Sequence, residues 1–162
     1  MRSLLANTFW LLLPILVFNV IFARYLPSAY KTDQFWKDIP GWISLAENIL
    51  RIAVMILPLV MRFSISTLSQ RVGLWLYLVG IVLYFASWWV QIAFPESAWS
   101  TSAAGFLAPA YTPVVWLAGI ALIGDTLTIS AMPYSSRIYL VLSGLFLIFH
   151  NLHAWLVYAR NS

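Results

Sequence analysis

The chain has 162 residues, of which 62% are hydrophobic and only 9% charged, with basic residues in formal excess by four. Soluble domains carry about a quarter of their residues as charges, so a surface built mainly for water is excluded and one helical bundle in a membrane is the economical reading. The absence of cysteine removes disulfides, thiolate nucleophiles and thiolate metal sites, and the nine Lys and Arg sit singly at the ends of apolar runs, as topology and headgroup determinants do and a nucleic-acid surface does not.

About 20 apolar residues are needed to cross about 30 Å of hydrocarbon. Five windows provide them: 4–23, 42–61, 72–94, 105–124 and 138–158. The expected fold is an all-α integral membrane protein, a single domain of five transmembrane helices with a short amphipathic segment in the first loop. The first window follows Arg2 and looks signal-like. Pro14 and Asn19 interrupt it and LPSAY is a poor cleavage site, so its retention is expected.

The first loop, RYLPSAYKTDQFWKDIPG, is the longest connection. Between Pro27 and Pro40 the stretch YKTDQFWKDI suits a short helix with Tyr30, Phe35, Trp36 and Ile39 toward lipid or protein and Asp33 paired with Lys37 at i, i+4. It would either lie on the membrane surface or cover the polar layer beneath it. In the second window Glu47, Asn48 and Arg51 interrupt the apolar run. Glu47 and Arg51 have the acid-first i, i+4 order that favours an ion pair. They either neutralise one another near the interface with Arg51 snorkelling, or present an anion-binding arginine beside a proton-exchanging glutamate to the bundle interior.

MRFSISTLSQR follows as a short basic, serine-rich loop. In the third window Trp88 and Trp89 point about 100° apart, so at most one faces inward. In the fourth, Pro109 and Pro113 precede the regular stretch VVWLAGIALIG, with Tyr111 and Trp116 as aromatic candidates and Asp125 as a boundary residue. No two of the seven glycines are four apart, so no GxxxG face is expected. The stretch FLIFHNLHAWLVYAR, residues 146–160 in and just beyond the fifth window, carries His150, Asn151 and His153. His150 and His153 lie about 60° apart around a helix and can share one space. They suit hydrogen bonds between helices, or, with Glu47, a two-histidine, one-carboxylate set for Zn or non-haem Fe. Two histidines on one helix face cannot take the opposite axial positions of one haem.

With five crossings the amino end and the loops 62–71 and 125–137 share side one. The loops 24–41 and 95–104 and the tail share side two. Lys and Arg counts tie. The signal-like start and the base-free loop PESAWSTSAA place side one, with the amino terminus, in the cytoplasm of a cell (inner) membrane and the carboxy terminus outside. At 1.5 Å per residue, Glu47 and Arg51 lie about 8–14 Å from side two. His150 and His153 lie at a similar depth, and Asn19, Gln91 and Tyr111 fall in the same half. So do seven of the nine tryptophans, as an interfacial belt or, for Trp88, Trp89 and Trp116, as walls of a pocket.

No HExxH, GxSxG or glycine-rich phosphate loop is present, and the two lysines, Lys31 and Lys37, both lie in the first loop, which leaves none inside a span for a retinal Schiff base. Five spans, this length and nine tryptophans resemble in architecture the tryptophan-rich sensory (translocator) proteins, which bind porphyrins and sterols. That family's Pro- and Trp-rich second span and the Asn-Trp pattern of its third are absent, so the resemblance is one of architecture. The expected function is to bind or move an amphiphilic, hydrophobic small molecule. Its candidate site is Glu47, Asn48, Arg51, Trp88, Trp89, Tyr111, Trp116, His150, Asn151 and His153, with Glu47, His150 and His153 as the metal-binding subset. An enzyme acting on a lipid-like substrate and a structural subunit of a homo-oligomer or larger membrane complex are the alternatives. No cofactor is specified.

Overall fold

The computed structural model describes residues 6–129 and 133–162. Its helices are α1 (Thr8–Tyr25), the short α2 (Thr32–Phe35), α3 (Gly41–Leu59), α4 (Leu68–Ala93), α5 (Ala103–Ile123) and α6 (Ser136–Asn161). All but α2 are long and apolar enough, by length and composition, to cross a membrane. The first residues of the first expected window, 4–5, lie outside the described residues. Two helices outrun their apolar windows for local reasons. α4 starts at Leu68 because Thr67 and Gln70 form a reciprocal capping box, and α6 continues past Tyr158 to Asn161.

Backbone hydrogen bonds stitch the end of the bundle where α1 and α4 begin and α3 and α5 finish. Thr8 donates to the Met61 carbonyl at 2.9 Å, Arg62 to Thr126 at 2.8 Å and Thr128 to Val60 at 2.8 Å. Gln70 completes this end: its carbonyl oxygen accepts from the Ser66 and Thr67 amides, and its side-chain N–H donates to Asp125 at 3.1 Å.

The closest helix pair is α4 with α5, and small residues make the approach feasible. A Cβ on Gly80 would stand 2.3 Å from the Trp116 amide nitrogen, and one on Gly119 would stand 2.5 Å from that of Tyr77. Gly73 also faces α5, so Gly73 and Gly80, seven apart, form the close-packing face on α4 that a four-residue spacing does not reveal. α6 packs on both α3 and α5. α1 is held by reaching groups: Tyr77 donates to the Leu11 carbonyl at 2.7 Å, Tyr84 to Asn19 at 2.8 Å, and Phe18 stacks on Phe85.

Two prolines interrupt α5, and neighbouring amides repair the damage. Pro109 lacks the N–H that would bond the Gly105 carbonyl. Buried Gln91 supplies the donor instead, at 2.7 Å. Near the break at Pro113, Asn151 donates to the Ala110 carbonyl at 3.1 Å. Gln91→Leu is therefore expected to lower stability by about 1–3 kcal/mol, the range for stranding a buried acceptor. The measurement is a fall in melting midpoint with unchanged helical content below it.

The first loop is folded, in a different register from that expected. Ser28–Tyr30 forms a 3₁₀ turn, and α2 ends at Phe35. Asp38 takes a left-handed φ of 55°, so the chain is no longer helical where Lys37 would meet Asp33. Asp33 instead accepts from Gln34, and the expected Asp33–Lys37 pair is absent from the ion pairs of the described residues. Arg160, at the end of α6, donates to the carbonyls of Gln34 and Lys37 and ties the loop down over α6.

Candidate functional site

Packing of α3 against α6 brings Glu47, Arg51, His150 and His153 together. Glu47 is fully buried. Its Oε1 accepts from Arg51, one turn further along α3, and lies 2.9 Å from His150 Nδ1. Its Oε2 lies 2.5 Å from His153 Nδ1. Among the described residues all three ion pairs use this one carboxylate. The second nitrogen of His153, Nε2, lies 2.9 Å from the Phe35 carbonyl, and the rings of Phe35 and Trp36 pack against the imidazole. The first loop thus covers the cluster.

The partners determine where protons sit. A carbonyl oxygen only accepts, so His153 Nε2 carries a hydrogen. Nδ1 faces a carboxylate oxygen at 2.5 Å, and two lone pairs do not approach so closely without a proton between them. Glu47 and His153 therefore share one proton and sum to zero charge, as carboxylate with imidazolium or as carboxylic acid with imidazole. Arg51 is positive throughout, and His150 adds nothing or one further charge. The four groups together carry at least one net positive charge.

Beside this cluster lies a cavity of about 350 Å³, between α1 and the other long helices. Arg51 and His150 form its polar wall on α3 and α6, and Asn19 contributes from α1. Phe18, Met55, Trp88, Trp116 and Phe146 are among its apolar walls. Phe146 stacks on His150 at a centroid distance of 5.3 Å and lies 5.9 Å from the Arg51 guanidinium, while Trp36 lies 5.4 Å from it on the loop side. The Trp116 indole N–H is buried without a hydrogen-bond partner. Tyr30, in the loop, packs between Trp88 and Phe106 and donates to the Phe106 carbonyl at 2.8 Å. Burial pushes its phenol well above the usual tyrosine range, which keeps that proton in place.

Four of the ten candidates, Arg51, Trp88, Trp116 and His150, line the cavity, Glu47 and His153 form the cluster beside it, and the other four lie off both. Asn48 is exposed on α3 and touches the site only through the Arg51 guanidinium, at 3.4 Å. Trp89 is turned outward, as one of two adjacent tryptophans must be, while Trp88 lines the cavity. Tyr111 is exposed and donates to the Ala104 carbonyl. Asn151 is occupied by the carbonyls of Ala110 and Leu147. Conversely Phe18, Met55 and Phe146 line the cavity without being candidates. Phe146 could have been found, one turn before His150 on the same helix face.

The set Glu47, His150 and His153 is assembled, as a hydrogen-bonded triad in which both Nδ1 atoms face oxygens of one carboxylate. Among the described residues no group of three or more His, Cys, Asp or Glu is placed to hold a metal ion. Compared with protein-family models, curated proteins and solved structures, the chain matches none of them.

Proposed function

We propose that the chain is an integral membrane protein that binds or moves an amphiphilic small molecule in the cavity beside Arg51 and His150. Its place is the cell (inner) membrane, with the amino terminus cytoplasmic and the carboxy terminus outside, so that the cavity lies in the outer half of the bilayer. The observation that carries the reading is the cavity itself: about 350 Å³, apolar over most of its wall, with a guanidinium and an imidazole on one side. Such a space falls within the usual range for small-molecule sites, and its few polar groups converge as orienting groups do. Binding is favoured over catalysis because the Glu47 oxygens and both His153 nitrogens already have partners.

Filling the cavity tests this. Leu16 lines it from α1 and is only partly buried, so Leu16→Trp adds an indole where the ligand's apolar body would lie. Wild-type protein purified in mild detergent is expected to retain about one equivalent of amphiphile on solvent extraction and mass spectrometry. Leu16→Trp is expected to retain at least about tenfold less, the equivalent of about 1.4 kcal/mol. Equal retention by both proteins would place the bound molecule elsewhere.

A further inference from the structure

The proton count at the cluster goes beyond the presence of a cavity, because it specifies the charge of what the cavity takes. Resting on the reading above, we infer that the ligand is an amphiphile with an anionic head, a phosphate or carboxylate, seated on Arg51 and His150 with its alkyl body against Phe18, Met55 and Trp116.

Glu47 cannot neutralise Arg51, because the proton that it shares with His153 has already cancelled its charge. Of the four other acids, Asp125 accepts from Gln70 at the opposite end and Asp33 from Gln34 on the loop, and the ion pairs of the described residues include none from Asp38 or Glu96 to Arg51. A net positive charge beside an apolar cavity is unfavourable unless an anion joins it. Arg51 is suited to receive one. Its side chain is a third exposed, it lines the cavity, and its planar fork donates in pairs to phosphate or carboxylate oxygens. His150 directs Nδ1 at Glu47, and as imidazolium it has a second N–H, on its other ring nitrogen, for the head.

An anionic head could belong to a free single-chain amphiphile or to a bilayer phospholipid, and bromine quenching of tryptophan fluorescence separates the two. In neutral detergent the probes are ω-bromoundecyl phosphate and the uncharged ω-bromoundecanol. In nanodiscs they are brominated phosphatidylglycerol and brominated phosphatidylcholine. The signal assigned to the cavity is the quenching lost in the W88F/W116F double variant. At least about tenfold tighter quenching by the anionic member of either pair is expected, the equivalent of about 1.4 kcal/mol. The pair that shows the preference identifies the source. Arg51→Gln should abolish the preference and Arg51→Lys should keep it, so the Lys variant carries the test if the Gln variant does not fold. Cavity quenching that is equal for charged and uncharged probes would overturn the anionic head and leave the amphiphile reading standing. No cavity quenching by any probe would overturn both.

Discussion

Glu47→Ala is expected to lower the free energy of unfolding by about 3–5 kcal/mol, the range for removing one partner from a buried charged group. The size follows from how much converges on this carboxylate: Arg51, His150 and His153 all lose an acceptor at once, and the carboxylate is completely buried. The guanidinium would then remain beside an apolar cavity with no negative group on α3 or α6. The loop would loosen as well, because the His153 ring that donates to Phe35 would lose its second anchor. Thermal or denaturant unfolding in detergent gives the loss. The double variant E47L/R51L should recover at least half of it, since replacing a buried charge cluster by apolar groups is often neutral. Additive losses in the double variant would show that the two residues are not coupled.

Gly80→Leu is expected to be nearly as damaging, by about 3 kcal/mol, the upper end for overpacking. The atom that its Cβ meets is the Trp116 backbone nitrogen, at 2.3 Å, and backbone cannot swing aside as a flexible side chain would. α4 and α5 would have to separate, carrying Trp116 away from the cavity wall. Two losses should therefore appear together: a lower melting midpoint and weaker retention of the proposed amphiphile. Gly144→Leu is the control. A Cβ on Gly144 meets nothing within 4 Å, so it should leave both properties near wild type.

Much of this arrangement is legible in the residue order, for specific reasons. Run length alone locates the five long helices, because an apolar run of about 20 residues that must satisfy its own backbone hydrogen bonds does so as a helix. Glu47 with Arg51, and His150 with His153, are each spaced for one helix face, and counting from the helix ends puts both pairs at one depth. Their meeting then requires only that α3 and α6 be neighbours. What escaped depends on the rotation of one helix against another. Asn48 and Tyr111 have the right depth and the wrong direction. Gln91 and Asn151 resemble site residues until the prolines of α5 are placed beside them, when they become donors to interrupted carbonyls. α1 is apolar on all sides, so its sequence names no inner face. Only Asn19, meeting Tyr84, marks the side that lines the cavity.

The loop shows a different limit. Asp33 and Lys37 have the spacing of a helical ion pair, yet the helix ends at Phe35 and the covering role falls to main-chain atoms: the Phe35 carbonyl takes His153, and the Gln34 and Lys37 carbonyls take Arg160. Backbone acceptors have no sequence signature. The basic and aromatic partners that seek them, His153 and Arg160, were the visible half of each bond.

The claim that an amphiphile occupies the space between α1 and the rest of the bundle is tested most directly by photo-crosslinking. An alkyl phosphate with a diazirine in its chain would be irradiated with the protein in neutral-lipid nanodiscs and the adducts mapped by peptide mass spectrometry. Adducts on Phe18, Met55 and Trp116, suppressed by excess unlabelled alkyl phosphate and absent in Leu16→Trp, are the predicted result. Adducts confined to outward residues such as Val20, Val79 and Val82, and unaffected by competitor, would contradict it.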